Sequence, residues 1–529
     1  MKADLILYNA YLALPDRREL SKSALAVKDG RILAVGPYEQ LERFVGPETH
    51  LIDLEGRVVL PGLSDSHIHG LALGRSLTWA DLSEARSIEE LLEALRRHER
   101  SLGPGDWLIG FGWDHELFSE RRLPNKHDLD RVSRERPIVI FRKCWHLCVL
   151  NSTALAALGE DELSRLTAKG EALTDPETGE PTGILIEGAL EAVRAAMPEL
   201  RPEKAVEAIQ RAVDEALSKG LTCLHWIAEG PTDLAAIMYL WASGRLRIRL
   251  YLLFPAHMLP HLRALGLRTG FGDERVRIGA LKLMLDGSLG ARTAYLKEPY
   301  ADDPGNRGRL LYKEAELRRL LREAHGSGLQ LAIHAIGDGA IELALKALSE
   351  LPGGPGKARH RIEHASVLNP GLIRAMASLG VVASIQPRFV VSDFWVEQRL
   401  GPARARWVYP FKSLLEAGVP LAAGSDAPIE PIDPLEGLLA AVGPPQRPEE
   451  RLSIWEALGA YTLGAAYASF QERFYGSLRP GMLADLAILS CGPDEFTPEG
   501  LEGARVEATF VMGELAFARG ALSRELRGG

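Results

Sequence analysis

The stretch VVLPGLSDSHIHG, residues 58–70, joins an apolar run to two histidines that lie one residue apart. The run 58–63 predicts a strand that leads into Asp65, His67 and His69. Residues i and i+2 of an extended chain face the same side, so both histidines can point into one site. A lone His-x-His pair is more often two unrelated histidines than a metal site, so this interpretation depends on the rest of the chain.

Four other strand-like runs also carry, or lead into, a side chain that can bind a metal. They are 276–285 with Lys282, 330–333 followed by His334, 361–363 followed by His364, and 421–424 followed by Asp426. Taken singly, the histidines could fill a core, and Asp426 could cap a helix because Ala427-Pro428 follows it. Lys282 fits a structural role least well, because a buried ammonium group is costly unless it is paired or chemically altered. The coincidence of all these residues with strand ends favours one shared site.

Apolar strand-like runs alternate with amphipathic helical patterns through the middle of the chain. The runs end near residues 63, 225, 254, 285, 334, 364, 385 and 424. The helical patterns cover 203–218, 234–242, 314–325, 340–351, 371–379 and 411–417. This alternation predicts an α/β fold with a parallel sheet. Eight strands favour a (β/α)8 TIM barrel, whose active site lies at the carboxyl ends of its strands. An open, doubly wound sheet is the alternative.

Both ends of the chain carry short strand-like runs, at 5–9, 24–27, 31–35, 51–53, 485–489 and 508–512. Asp29-Gly30 predicts a hairpin turn, because glycine accepts a positive φ. We therefore expect residues 1–58 and 478–529 to form a composite β-sandwich domain beside a barrel domain over 59–477. An inserted region of about 75–202 should follow the first barrel strand, because this interval is too long for a single connection.

Composition limits the compartment and the partners. The 529 residues carry a net charge of −9, which argues against a general nucleic-acid binder. Four cysteines in so long a chain predict no disulfide framework and fit a reducing compartment. The first 20 residues show no secretory pattern, and no apolar run reaches the ~18 residues that a membrane span needs. We expect a cytoplasmic protein without a membrane or nucleic-acid partner.

Other catalytic motifs are missing from the sequence. The chain has neither a phosphate-binding loop with a Walker A lysine nor a GxGxxG motif after a strand. The nearest match to a Gly-x-Ser-x-Gly nucleophile motif is DGSLG at 286–290, in which Asp286 replaces the first glycine. Metal chemistry is therefore the best-supported interpretation.

The order His-x-His, Lys, His, His, Asp resembles that of the amidohydrolase superfamily. The similarity is to its YtcJ-like or amidohydrolase-3 branch, which includes N-substituted formamide deformylases. The matching stretches are LPGLSDSHIHG, GFGWDHELF, GILIEGA, LKLMLDGSLGARTAYL, LAIHAIGDGA, RIEHA, GSDAPIEPIDP and GSLRPGMLADLAIL. They extend to about residue 520, and the segment around Lys282 and the tail are the most specific of them.

The resemblance implies a TIM barrel, a composite β-sandwich and a carboxylated Lys282 that bridges two divalent metal ions. It implies one ion held by His67, His69, Lys282 and Asp426, and a second held by Lys282, His334 and His364. Imidazole and carboxylate ligands suit zinc, which is the first choice, and also Fe, Mn or Ni. A carbamate is an anion with two oxygens, so it can span a metal pair where an ordinary lysine cannot.

The implied activity is hydrolysis of carbon–nitrogen bonds other than peptide bonds, in a small linear amide, N-acyl or N-formyl compound. The predicted catalytic residues are Asp426, Lys282 and His334, with Asp426 as the general base for a metal-activated water. A homodimer would be ordinary for such an enzyme. The alternatives are a mononuclear deaminase, a lactonase or phosphotriesterase-like enzyme, and a non-catalytic ligand-binding barrel. Lys282 argues against the first of these, and the complete ligand set argues against the last.

A weaker group of residues lies in family-like segments and could contact substrate: Trp113, Asp114, His146, Asp286, Arg292 and Arg388. Trp113 and Asp114 could form a lid, or could pack inside the inserted region. Either arginine could bind a substrate carboxylate, or could form a structural ion pair. Glu187 also lies in such a segment, and His225 could contact a metal ligand. We expect Cys144, His146 and Cys148 to be packing or pocket residues, because three donors without a fourth make a weak metal site.

Overall fold

The protein, seen in a computed structural model, is described over residues 1–143, 145–186, 188–198, 200–443, 447–520 and 522–523. These residues divide into two compact units. The first unit, here the barrel unit, contains residues 1–70 and 209–529, and the second, here the inserted unit, contains residues 71–208.

Parallel strands that follow one another in sequence order form the main sheet of the barrel unit. Among the described residues they are β1 (Leu63–Ile68), β2 (Leu221–Ile227), β3 (Arg249–Pro255), β4 (Val276–Met284), β5 (Gln330–Ala335), β6 (Arg361–His364), β7 (Val382–Ile385) and β8 (Leu421–Ala423). The ends of the sheet meet, because the Asp426 N–H donates to the His67 carbonyl at 2.8 Å and the His69 N–H donates to the Ala427 carbonyl at 2.9 Å. The predicted TIM barrel is confirmed, and the open doubly wound sheet is wrong.

The first predicted strand, 58–63, is corrected by the structure. Val58–Pro61 belongs to the small sheet, and β1 begins only at Leu63. Gly62 separates the two strands, and a Cβ there would lie 2.4 Å from the Thr222 hydroxyl oxygen. The run 58–63 is apolar throughout, across Gly62, so hydrophobicity alone did not reveal the break. His67 consequently lies inside β1, and His69 follows it directly.

Helices cover the outside of the barrel and connect its strands. In the barrel unit and at its junctions the α-helices are Tyr38–Leu41, Gly70–Ser76, Pro202–Ser218, Pro231–Ala242, Leu259–Ala264, Glu314–Gly326, Asp338–Ser349, Pro370–Leu379, Phe389–Ser392, Val396–Leu400, Pro402–Ala405, Phe411–Glu416, Pro434–Val442, Ile454–Gly459, Ala465–Ala468 and Pro498–Leu501, with a π-helical turn at Ala460–Gly464. The six predicted helices are all present, with ends shifted by up to three residues. Asn369 shows why one of them begins where it does, because its side chain accepts from the N–H groups of Gly371 and Leu372.

Strands from both ends of the chain form a second sheet in the barrel unit. They are Leu5–Leu14, Glu19–Lys28, Arg31–Gly36, His50–Asp53, Val58–Pro61, Leu486–Leu489, Val506–Val511 and Glu514–Ala518. The predicted Asp29-Gly30 hairpin is confirmed, with φ values of 49° and 72° at the two residues. Sharing of one sheet by both ends is therefore confirmed, and the exact domain boundaries at 58 and 478 stay a prediction.

The inserted unit has its own sheet and its own core. Its strands are Ala80–Asp81, Leu108–Trp113, Ile138–Arg142, Leu147–Leu150, Ala172–Thr174 and Pro181–Ile186. Its α-helices are Ile88–Glu99, Lys126–Asp130, Ser152–Leu158, Glu160–Ala168 and Ala189–Ala196. The helix Ile88–Glu99 places Leu91, Leu92 and Leu95 in the core, at the spacing of one helical face. None of the helices in the described parts of the chain is long and apolar enough to cross a membrane.

A buried ion pair joins β3 to the small sheet. The Arg249 guanidinium donates to Asp485 at 2.5 Å, and both side chains are almost fully buried. The Tyr475 ring lies 3.8 Å from the Arg249 guanidinium carbon, and the Asp485 carboxylate also accepts from the N–H of Met512 at 2.8 Å. The pair thus fixes the small sheet against the barrel strand that lies beneath it.

We expect Asp485→Asn to lower the free energy of unfolding by about 3–5 kcal/mol, because it leaves the Arg249 charge buried without its partner. Asp214→Asn is the matched control, since Asp214 pairs with Arg247 at the surface, where an ion pair contributes at most about 1 kcal/mol. Urea unfolding of both variants measures the difference. Equal losses in the two variants would contradict this role for Arg249 and Asp485.

Candidate metal centre

The barrel brings the predicted metal ligands together at the carboxyl ends of its strands. His67, Lys282, His334 and His364 lie in β1, β4, β5 and β6, and Asp426 lies three residues beyond β8. Parallel strands of a closed barrel present these ends at one mouth. Residues separated by more than 350 positions in the chain, such as His67 and Asp426, therefore become neighbours.

Three of these residues form a compact group. The Asp426 Oδ1 atom lies 3.4 Å from His67 Nε2 and 3.3 Å from His69 Nε2. One donor atom from each residue lies within 4.8 Å of the other two. These distances fit ligands arranged around a shared cation, and two imidazoles with a carboxylate are a donor set that suits a divalent transition metal.

His334, His364 and Lys282 lie beside this group. The His364 ring centroid is 4.9 Å from that of His67 and 4.5 Å from that of His334. Lys282 is buried in β4 and lies close enough to Asp426 for their charges to interact. All six predicted ligands therefore occupy one region of the barrel mouth.

Several polar atoms in this region are buried without a hydrogen-bond partner among the described residues. They are His67 Nε2, Lys282 Nζ, His364 Nδ1 and Asp426 Oδ1. A buried polar atom without a partner costs about 1–3 kcal/mol, so four of them in one place would be a severe penalty for an ordinary core. All four are atoms that the metal hypothesis uses as ligands or, for Lys282, as the point of carboxylation, so the residues present fit such a group.

Burial and charge set the protonation states of the ligands. Burial lowers the pKa of Lys282 to about 8, although the negative charges of Glu363 and Asp426 oppose this shift. Burial also lowers the pKa of His364 to about 3 and that of His334 well below its ordinary value, which keeps both imidazoles neutral. Burial alone would raise the pKa of Asp426, but its interactions with His67 and His69 hold it well below the usual range. Neutral imidazoles and an ionised carboxylate are the forms that bind metals.

Sequence reasoning assigned no role to Glu363, which contacts the centre directly. Its Oε2 atom lies 2.5 Å from His67 Nδ1, and both side chains are fully buried. The Arg361 guanidinium donates to both Glu363 oxygens, at 2.7 and 2.9 Å, and holds the pKa of that carboxyl well below its usual range against the effect of burial. The i, i+2 spacing of Arg361 and Glu363 could have indicated this role from the sequence, because it places both charged side chains on one face of a strand, and charged residues are seldom fully buried unless they are paired.

Two of the ligands have unusual backbone conformations. His364 has φ 70° and Asp426 has φ 62°, in the left-handed region that non-glycine residues seldom occupy. Regular alternation would turn His364 away from the side that Glu363 faces, and the left-handed conformation allows adjacent residues to reach the same site. A left-handed conformation at a non-glycine residue persists only where the surrounding contacts hold the backbone in place. Asp65 helps to hold the backbone next to Asp426, because its carboxylate accepts from the N–H groups of His67 and Ser425, each at 3.0 Å.

The model of a family described as the amidohydrolase family matches residues 50–517 of this sequence. The chain belongs to the amidohydrolase family. It is 36% identical to the putative amidohydrolase YtcJ of Bacillus subtilis, over 94% of this chain and 96% of that protein. It is 27% identical to N-substituted formamide deformylase of Arthrobacter pascens, over 98% of each chain. The predicted YtcJ-like membership is therefore confirmed.

Solved structures agree with this membership. The crystal structure of an uncharacterized metal-dependent hydrolase from Pyrococcus horikoshii has a TM-score of 0.78 and 33% sequence identity, and the match covers 94% of this chain and 99% of that one. The family match and the names of these relatives support the conclusion that the protein is a hydrolase of the amidohydrolase family.

Asp286, a predicted substrate contact, fixes the loop that follows β4 in this amidohydrolase. Its carboxylate accepts from the N–H groups of Ile336 at 3.0 Å, Gly337 at 2.9 Å and Tyr295 at 2.9 Å. The same loop places the Gly287 carbonyl 3.1 Å from His334 Nε2. The Asp286 carboxylate itself lies 3.6 Å from the same His334 nitrogen, so Asp286 supports this metal-ligand candidate, and substrate contact by Asp286 stays a prediction.

Arg292 and Arg388, the other predicted substrate contacts of the barrel unit, lie beside carboxylates of the chain itself. Arg292 donates to both oxygens of Asp302, at 3.2 and 2.8 Å, and Arg399 donates to the same carboxylate at 2.6 Å. Arg388 lies 3.2 Å from Glu436. Asp302 thus joins the loop after β4 to the segment after β7, and this geometry favours the structural interpretation of Arg292.

The remaining predicted substrate contacts lie in the inserted unit. Trp113 is fully buried and stacks on Phe118, with ring centroids 6.1 Å apart. Asp114 is also buried and accepts from Arg142 at 2.6 Å. These contacts fit packing of the unit's own core, and a lid role stays a prediction. His146 and Cys148 are half-buried and buried, respectively, and burial raises the pKa of the Cys148 thiol. Cys144 and Glu187 lie outside the described residues.

We expect Asp302→Asn to lower the free energy of unfolding by about 2–4 kcal/mol, because Arg292 and Arg399 would lose their shared carboxylate. Exposed Asp494→Asn is the control and should change stability by less than about 0.5 kcal/mol. Thermal unfolding and limited proteolysis of the segment 286–311 provide the measurements. An Asp302→Asn protein as stable and as resistant to protease as the control would contradict the structural role of this cluster.

Proposed function

We propose that the protein is a binuclear metal-dependent hydrolase of carbon–nitrogen bonds other than peptide bonds. The observation that carries this proposal is the convergence of the unpartnered, buried atoms of His67, Lys282, His364 and Asp426 at the barrel mouth. We propose linear amides and N-acyl or N-formyl compounds as substrates, and the name of the deformylase relative supports that choice.

In this proposal His67, His69, Lys282 and Asp426 would hold one ion, and Lys282, His334 and His364 would hold the other. Lys282 would bridge them as a carbamate, formed when its amine nitrogen attacks carbon dioxide, makes a carbon–nitrogen bond and releases a proton. A pKa near 8 supports this step, because more of the amine is neutral at physiological pH than in an exposed lysine. Zinc is our first choice of metal, with Fe, Mn or Ni as alternatives.

The two cations, when bound, would supply Lewis-acid activation of a water molecule and of the scissile carbonyl. Asp426 would act as the general base that accepts the proton of the attacking water and then delivers it to the leaving nitrogen. The carbon–nitrogen bond breaks as that nitrogen is protonated, and the products are a carboxylate and an amine. The pKa of Asp426 lies well below its usual range, so the carboxylate is ionised at neutral pH, which is the form that a general base requires.

Glu363 and His225 would hold the surrounding groups in place during the reaction. The Arg361 guanidinium contacts both Glu363 and the Nδ1 atom of His225, at 2.7 Å for the latter. Because this nitrogen faces a cationic donor, it acts as an acceptor and the His225 proton lies on Nε2. Burial lowers the pKa of His225 well below its ordinary value, so the ring stays neutral beside the Arg361 charge.

Metal content tests the binuclear site. Elemental mass spectrometry should find about two equivalents of metal in the wild-type protein and a sharp loss in Lys282→Ala, because the bridging ligand is removed. Lys219→Ala is the matched control, since Lys219 is half-buried and pairs with Asp433 outside the centre. One equivalent that the Lys282 substitution leaves unchanged would favour a mononuclear, deaminase-like site. No metal, even after supply of metal and bicarbonate, would overturn the proposal.

Activity tests the reaction and its base. Among neutral N-formyl and N-acyl amides, we expect turnover that Asp426→Asn lowers by at least about 100-fold, because the proton acceptor is lost. Initial rates should be measured on protein whose metal content is known, so that lost metal is not mistaken for lost base. Hydrolysis of lactones or amino-heterocycles but of no amide would contradict the proposed substrate class.

A further inference from the structure

Two of the proposed metal ligands are oriented by acceptors of different strength. His67 has a carboxylate at its second nitrogen, at 2.5 Å from Glu363. The Nε2 atom of His334 instead donates to the neutral Gly287 backbone carbonyl at 3.1 Å, and the Asp286 carboxylate lies beyond hydrogen-bond distance of the same nitrogen, at 3.6 Å. A carboxylate holds the imidazole proton more strongly than a carbonyl does and makes the other ring nitrogen a stronger ligand.

Glu363 is itself held rigidly by hydrogen bonds from Arg361. Arg361 donates to both of its oxygens, and the same guanidinium also donates to the Ser66 carbonyl at 2.5 Å and to the Ser384 hydroxyl at 2.9 Å. All four side chains are fully buried. Neither Arg361 nor Glu363 can rotate away without leaving a buried charge unpaired, which is strongly unfavourable. Glu363 therefore fixes the proton on His67 Nδ1 and leaves the Nε2 lone pair facing Asp426.

The two halves of the centre also differ in how complete they are. One donor atom each from His67, His69 and Asp426 already lies within 4.8 Å of the others, which makes this group a preassembled set of three ligands. His334 and His364 have no third imidazole, thiol or carboxylate at such distances among the described residues. Their site needs Lys282, which becomes an anionic ligand only after carboxylation.

We infer that the two metal positions are unequal, and that the position at His67, His69 and Asp426 fills first and binds its ion more tightly because Arg361 and Glu363 orient His67. This inference rests on the proposed function, since it assumes that the centre binds two ions. Glu363 is a positioning residue in this account, because it acts on the metal only through His67.

The experiment is a titration of the metal-free, full-length protein with Zn²⁺ in competition with a chromophoric chelator. The wild-type protein should bind two equivalents in two separate steps. Glu363→Gln keeps the shape of the side chain but removes its charge, and it should weaken the first step by about 10–100-fold while the second step stays unchanged. A general loss of structure would weaken both steps together, so a purely structural role of Glu363 and a role in orienting His67 give different results.

Two further variants serve as controls for this titration. Glu450→Gln removes a buried carboxylate that accepts from Ser413, away from the centre, and should leave both steps as in the wild type. Glu363→Asp retains the charge beside Arg361 but is one methylene shorter, so it should fold normally and still weaken the first step. Thermal unfolding of the metal-free variants verifies that each is folded.

Two equal steps in the wild type would overturn the inference, as would a Glu363→Gln protein in which both steps weaken alike or neither step changes. A protein that binds no zinc, with or without bicarbonate, would instead overturn the proposed function.

Discussion

The barrel unit depends on a balance of buried charge at the mouth of the barrel. Glu363 and Asp426 are buried anions, and Arg361 and Lys282 are buried cations on β6 and β4, with β5 between them. Each charge would be prohibitively costly alone, and the mutual attraction of these groups makes their burial tolerable. Glu363 is fully paired, whereas Lys282 and Asp426 retain atoms without a hydrogen-bond partner among the described residues. This grouping of unpartnered charged atoms at the barrel mouth is the observation behind the proposed metal centre.

The fold explains how these buried charged groups are kept in fixed positions. Closure of the barrel places β1 beside β8, and the backbone contacts between them fix His67 and Asp426 at one mouth. Loops beyond the strands add a second level of support, in which Asp286 fixes the loop after β4 and Asp302 joins it to the segment after β7. Ligand positions are thus set by strands and by anchored loops, which is the arrangement that a preorganised metal centre requires.

Local patterns predicted much of this architecture, because they depend on neighbours in the chain. The alternation of strands and helices, the Asp29-Gly30 turn and the six ligand candidates could all be read from the residues. The break at Gly62 could not, because the run 58–63 is apolar throughout and the close approach of Thr222 and Asp485 to Gly62 is a tertiary contact. The role of Glu363 was also missed, since its partner His67 is 296 residues away. Substrate binding and a structural ion pair were both open for Arg292, because the position of Asp302 in space was unknown.

The sequence by itself determined the family, the order of the barrel strands and the residue types that can bind a metal, since these follow from periodicity and from motifs within short segments. Only the tertiary structure decided which of these residues meet and in what protonation state. Burial in the closed barrel lowers the pKa of Lys282 and keeps His334 and His364 neutral, and the left-handed conformations of His364 and Asp426 aim their side chains. The physical reason is that desolvation and charge pairing depend on distances across the barrel, which no local pattern encodes.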